Sequence, residues 1–169
     1  ALSKGIMRFL IRKARRSPKR ILFPEGGQDK ILHAAQILVD EQIAIPVLMG
    51  NVKRIRARAA ELEIDISGAE VFDHNEDPEY ELMVEAFYQK RQRRGVTRDE
   101  ARARLRHRET YGMLLLDQGR ADGLVSGITK NYGESLRPGL EVVGTRLKKA
   151  FGVHIVLTKA GPLFFADTT

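Results

Sequence analysis

At residues 20–27 the chain reads Arg20-Ile21-Leu22-Phe23-Pro24-Glu25-Gly26-Gly27. The apolar half predicts a short strand, and the glycines predict a turn into a helix that we expect Asp29 to cap. The order then repeats, with a strand at Ile45–Met49, a helix capped by Asn51 and a strand at Glu70–Phe72. Apolar strands that alternate with helices over short connections predict an α/β fold of three layers, with a mainly parallel sheet.

The second half of the chain continues this order and then departs from it. Several helices are predicted before a strand at Asp122–Val125, and a further helix at Tyr132–Val143. Two strands at hairpin spacing, Val153–Leu157 and Pro162–Ala166, follow. We therefore divide the chain into a first lobe, residues 1–144, and the opening strands of a second α/β lobe, residues 145–169.

Composition excludes several classes of function. The 169 residues include no Cys, which excludes a disulfide scaffold, thiolate catalysis and a cysteine zinc site. The four histidines show no metal-ligand spacing, so no histidine metal site is predicted. No apolar run is long enough to cross a membrane, and no signal peptide is recognised, so we expect a soluble, cytoplasmic protein without a membrane partner.

The net charge of +7 comes from 29 Lys and Arg against 22 Asp and Glu, and it is concentrated in runs. One such run lies between Lys90 and Arg108. Runs of this kind attract anions, such as nucleic acid, a phosphorylated ligand or an acidic neighbouring domain, or they form a solvated helix face. Nucleic acid is disfavoured, because aromatic residues do not interleave with the arginines as they do in single-strand binders.

The candidate site begins where the strand Asp122–Val125 ends. It comprises Ser126, Gly127, Thr129, Lys130 and Asn131, and Arg137 follows one to two turns later. Ligands of open parallel sheets lie beyond the carboxyl ends of the strands, where small residues allow backbone N–H groups to approach an anion. The alternative interpretation is an ordinary turn between a strand and a helix.

Two carboxylates complete the predicted site. Glu25 follows the first strand at the same edge of the sheet, where it would bond a ligand hydroxyl, cap the next helix or form the turn. Asp167 follows the last strand, where it would bind a metal or a basic group. Both are expected near the rim of the site.

The chain resembles the phosphate acetyl/butyryl transferase family over nearly its whole length. The resemblance rests on three stretches: Lys19 to Gly26 with Asp29 and Ala34-Ala35, Gly95-Val96-Thr97 with Ala101-Arg102, and Ala121 to Gly127 with Arg137-Pro138. A narrower resemblance, to the C-terminal phosphotransacetylase-like domain of hybrid NADP-dependent malic enzymes, rests on Ser126 to Tyr132, Val143 to Arg146 and Leu157 to Thr169. Stand-alone phosphotransacetylases usually have His-Ser or His-Thr where this chain has Lys130-Asn131.

This resemblance implies a two-lobed fold with a ligand cleft between the lobes. The family's catalytic Asp and its main coenzyme A-binding Ser and Arg lie in the second lobe, so no catalytic residue is predicted here and we expect these residues alone to be inactive. The implied function is acetyl-CoA sensing and homo-oligomer formation beside a malic enzyme domain, with NADP and a divalent metal bound in that other domain. The alternative is a phosphate acetyltransferase, which moves acetyl between coenzyme A and phosphate.

Overall fold

A computed structural model describes residues 2–145, 152–158 and 160–166 of the chain. Its strands are β1 (Lys19–Phe23), β2 (Ala44–Met49), β3 (Glu70–Phe72), β4 (Gly123–Leu124), β5 (Val153–Leu157) and β6 (Pro162–Ala166). Its helices are α1 (Leu2–Arg16), α2 (Asp29–Asp40), α3 (Val52–Glu61), α4 (Tyr80–Arg91), α5 (Arg98–Leu105), α6 (Arg108–Asp117) and α7 (Tyr132–Val142). Two short 3₁₀ turns lie at His74–Glu76 and Gln92–Arg94.

One four-stranded sheet forms the centre of the molecule, in the order β3-β2-β1-β4. Every neighbouring pair is parallel, and the register places Leu22 of β1 between Val47 of β2 and Leu124 of β4. The predicted mainly parallel sheet is therefore confirmed. Because the strands run the same way, the residues that follow them meet at one edge.

Helices cover both faces of this sheet. Since side chains alternate along a strand, Leu22 and Phe23 of β1 point to opposite faces. Leu22 packs in a buried cluster that includes Phe87 of α4 and Leu114 of α6. Phe23 packs in a second cluster with Ile31 of α2 and other residues of α2 and α3. This is the three-layer α/β arrangement that the sequence predicts.

The start of α2 differs from the prediction. Asp29 is the first residue of the helix rather than its cap, and the cap position is taken by Gln28, which makes no side-chain capping bond. Asp29 instead accepts two hydrogen bonds from the guanidinium of Arg58 on α3, at 2.7 and 2.8 Å. The neighbouring helix provides a bidentate partner, so the carboxylate joins α2 to α3.

The hairpin predicted near the end of the chain is present. Strands β5 and β6 pair antiparallel, with Ile155 opposite Phe164. Both of these side chains are more than half exposed. Most of the boundary proposed between the two lobes, residues 146–151, lies outside the described residues, and so does Asp167. The division into lobes stays a prediction.

Candidate ligand-binding site

The loop that follows β4 is closed around the carboxylate of Glu25. The backbone N–H groups of Gly127 and Ile128 donate to Glu25 Oε2 at 2.9 and 3.0 Å. The backbone N–H and the hydroxyl of Thr129 donate to Glu25 Oε1 at 2.6 and 2.5 Å. The N–H groups that we expected to face a ligand anion therefore bind an anion of the protein itself.

Glu25 lies in the interior rather than at the rim of the site. The residue is only 4% exposed. Burial raises the pKa of its carboxyl, but the hydrogen bonds from Thr129, Ile128 and Gly127 outweigh burial and lower the pKa to about 2. Glu25 is therefore ionised at neutral pH, and its side chain holds the loop at residues 127–129, whereas the sequence predicts a bond to a ligand hydroxyl or a cap on the next helix.

Lys130 and Arg137 are brought together on the far side of this loop. They line one cavity of about 360 Å³ between α6 and α7, together with Arg104 and Glu141. Lys130 Nζ lies 2.8 Å from Oε1 of Glu109, whose side chain is 5% exposed. Arg137 Nε donates to Glu141 at 3.0 Å, and its own side chain remains 75% exposed.

The other predicted site residues have different places. Asn131 caps α7, since its side-chain oxygen accepts from the backbone N–H of Glu134 at 3.0 Å. Ser126 is half-buried, and its hydroxyl approaches Glu25 at 3.4 Å. Neither residue lines the cavity of Lys130 and Arg137. The predicted residues thus divide into a loop held by Glu25 and a cationic pair beyond it.

Sequence reasoning missed the acids that hold these cations. Glu141 follows Arg137 by four residues, so the spacing on the helix carried that signal. It also accepts from Arg104 Nη1 on α5 at 3.2 Å, across a distance in sequence that no local pattern reveals. Glu109 lies in the first turn of α6 and carries no sequence signal of its burial.

A larger cavity is lined in part by Glu25 and by Thr129 of the loop that Glu25 holds. Its volume is about 820 Å³, and it opens at the carboxyl ends of β1, β2 and β3. Its lining also includes Gly50, which comes directly after β2, and His74, which comes shortly after β3.

Two further features are absent from the part of the chain that the structure describes. No group of three or more His, Asp and Glu side chains is placed there to hold a metal ion. No described helix is both long enough and apolar enough to span a membrane.

A family model described as phosphate acetyl/butaryl transferase matches residues 5–169. This chain belongs to the phosphate acetyl/butaryl transferase family. The fold agrees: EutD phosphotransacetylase from Staphylococcus aureus superposes with a TM-score of 0.85 at 24% identity, over 96% of this chain and 49% of that one.

The curated relatives of this transferase-family chain include phosphate acetyltransferases and NADP-dependent malic enzymes. The phosphate acetyltransferase of Bacillus subtilis is 33% identical over 150 residues, which cover 88% of this chain and 46% of the relative. The NADP-dependent malic enzyme of Escherichia coli is 31% identical over 168 residues, which cover 96% of this chain and 22% of the relative. The chain thus spans less than half the length of both relatives.

Proposed function

We propose that this chain is an acetyl-CoA-sensing, oligomer-forming phosphotransacetylase-like domain of an NADP-dependent malic enzyme. In this proposal the complete protein oxidises and decarboxylates malate to pyruvate, with NADP and a divalent metal bound outside these 169 residues. Acetyl-CoA binds at the carboxyl edge of the sheet and acts as the effector. Its partners are the malic enzyme region of the same protein and further copies of it.

The observation that carries the proposal is the cavity shared by Arg104, Lys130 and Arg137. Coenzyme A carries several phosphate groups, and arginine binds phosphate through two parallel hydrogen bonds. Arg137 is available for this role, because an exposed pair spaced four residues apart on a helix is worth only about 0.3–0.5 kcal/mol. A ligand phosphate can therefore draw the Arg137 side chain away from Glu141 at little free-energy cost.

Lys130 differs from Arg137 in its availability. Its partner Glu109 is buried, so separating the pair would leave a carboxylate without compensation in the interior. We therefore assign Lys130 to shaping the cavity and Arg137 to contacting the ligand. This assignment makes Arg137 the residue to test.

The test is Arg137→Ala in the complete protein, with acetyl-CoA binding measured by calorimetry. Loss of one charge-assisted contact is worth roughly 1.5–3 kcal/mol, so the affinity should fall by about ten- to a hundredfold. Inhibition of malate oxidation by acetyl-CoA should need correspondingly more acetyl-CoA. Arg93→Ala is the matched control, since Arg93 is exposed and lines neither cavity. An unchanged affinity in Arg137→Ala would move acetyl-CoA binding away from this cavity.

A second candidate function is phosphate acetyl transfer, which the Bacillus subtilis relative favours. In that reaction the thiolate of coenzyme A attacks the carbonyl carbon of acetyl phosphate, and phosphate leaves as acetyl-CoA forms. Acetyl-CoA formation from acetyl phosphate and coenzyme A by the complete protein, without malate-dependent NADP reduction, would select this function. The reverse pair of results would select the malic enzyme.

A further inference from the structure

The larger cavity holds three arginines that have no acidic partner in the part of the chain that the structure describes. Arg54 lies in the first turn of α3, Arg106 lies between α5 and α6, and Arg108 begins α6, and all three line this cavity. Among the described residues, none of the three guanidinium groups makes an ion pair or a hydrogen bond to a carboxylate. They contrast with Arg58 in the same wall, which is paired with Asp29 and Glu61.

The acids in the walls of this cavity are already engaged elsewhere. Glu25 is held by the loop after β4, and Glu61 pairs with Arg58 at 2.8 Å. Asp73 accepts two hydrogen bonds from Asn75, both at 3.1 Å. The cavity lining contains four arginines against three carboxylates, so its formal net charge is +1, and among the described residues Arg54, Arg106 and Arg108 are its cations without a carboxylate partner.

Two further features suit the cavity to an anion. Asn51 caps α3 within the wall, and the first turn of this ten-residue helix contains no acid, so the positive end of its dipole adds to the field. Gly50 makes room for Arg108, because a methyl group at Gly50 would lie 3.0 Å from Nη1 of Arg108. The glycine has a φ of +142°, which also favours the absence of a side chain.

His74 supplies an unsatisfied group in the same wall. Its ring is 2% exposed, and Nε2 donates to the carbonyl oxygen of Arg106 at 2.8 Å, which fixes the backbone that carries Arg106. In the neutral form of the ring, Nδ1 carries a lone pair that can accept a hydrogen bond. Nδ1 is buried and has no hydrogen-bond partner among the described residues. The distance of 3.8 Å from Nδ1 to Oδ1 of Asp73 is too long for a hydrogen bond. A hydroxyl or a protonated phosphate oxygen is the kind of donor that Nδ1 lacks.

We propose that this cavity is a second anion site, where Arg54, Arg106 and Arg108 bind the phosphate group of a small phosphorylated molecule. A volume of about 820 Å³ is within the ordinary range of small-molecule sites. The site is distinct from the cavity of Lys130 and Arg137, because no residue lines both cavities. It therefore does not depend on acetyl-CoA sensing.

The experiment is calorimetric titration of the complete protein at low ionic strength, with inorganic phosphate in one arm and adenosine 5′-monophosphate in the other. We expect saturable binding below about 10 mM in at least one arm. Equal affinities would indicate recognition of the phosphate alone, and tighter binding of the nucleotide would indicate a phosphate ester as the ligand. No saturable binding in either arm would overturn the proposal.

Three variants locate the site. Arg108→Gln should weaken phosphate binding at least tenfold, and Arg54→Gln, at an exposed position where folding is not at stake, should weaken it severalfold. Arg56→Gln, on the same helix but outside the cavity, is the matched control and should stay within twofold. Equal losses in Arg54→Gln and Arg56→Gln would reveal only non-specific attraction. Loss in Arg137→Ala with retention in both cavity variants would place the phosphate in the other cavity. Either result overturns the proposal.

Discussion

Replacing Glu25 with Gln tests the observation on which the geometry of the loop depends. Both carboxylate oxygens of Glu25 accept hydrogen bonds, Oε2 from the N–H groups of Gly127 and Ile128 and the hydroxyl of Ser126, and Oε1 from the N–H and the hydroxyl of Thr129. Gln keeps one oxygen and replaces the other with an NH₂ group. Whichever way the amide turns, at least one backbone N–H group of the loop then faces a donor.

The loss in free energy of unfolding that we expect from E25Q follows from the pKa of Glu25. Lowering it from 4.5 to about 2 corresponds to about 3 kcal/mol of stabilisation by the ionised carboxylate. We expect E25Q to lower the free energy of unfolding by about this amount near pH 7. Urea unfolding followed by circular dichroism measures it, and hydrogen exchange should show faster exchange at the amides of residues 127–129.

The pH dependence gives an independent check. Because the pKa of Glu25 is lower in the folded state, its contribution is present above the unfolded pKa of about 4.5 and is lost as the pH falls towards 2. The stability difference between the wild type and E25Q should therefore be constant above about pH 5.5 and shrink below about pH 4.5. Glu63→Gln is the control, since Glu63 is exposed and has no ion-pair partner among the described residues. A loss below about 0.5 kcal/mol in E25Q, or a difference that does not change with pH, would show that the ionised carboxylate of Glu25 does not stabilise the fold.

Two further substitutions test the packing that positions the site. Gly26→Ala places a methyl group 2.8 Å from the backbone nitrogen of Met49, so we expect the free energy of unfolding, measured in urea, to fall by about 1–3 kcal/mol. Gly27→Ala is the control, because its methyl group has its nearest contact at 3.7 Å and should change that free energy by no more than about 0.5 kcal/mol. Equal effects of the two substitutions would contradict this prediction. Tyr111→Phe removes a buried hydroxyl that donates to Asp77 at 2.6 Å, and it should lower Tm by about 4–8 °C, for a loss of about 2 kcal/mol; an unchanged Tm would show that this bond adds nothing.

The central sheet could be predicted from the sequence because its signals are local. Strands such as Ile45–Met49 are short apolar runs, and caps such as Asn51 and Thr97 stand directly before their helices. Asn51 accepts from the backbone N–H of Arg54, and Thr97 accepts from that of Glu100, as their positions predict. The prediction that Asp29 caps α2 is wrong. Its partner Arg58 is 29 residues away in the sequence, and no local pattern reveals this pairing.

The sequence could predict the edge of the sheet at which the site lies, but not which residues pair with each other there. Parallel strands place Glu25 and Ser126 at one edge, but their pairing joins positions about a hundred residues apart. The basic run from Lys90 to Arg108 shows the same limit. Its members Arg98 and Arg102 pair with acids of α4, whereas Arg108 faces the larger cavity. Composition gives all of these arginines the same charge, and only the fold separates paired from unpaired ones.

The most direct test of acetyl-CoA binding is a crystal structure of the complete protein grown with saturating acetyl-CoA. We expect the ligand in the cavity between α6 and α7, with the guanidinium of Arg137 turned from Glu141 onto a phosphate group and the Glu25 loop unchanged. Acetyl-CoA bound with no contact to Arg137, or a cavity left empty at saturation, would contradict it.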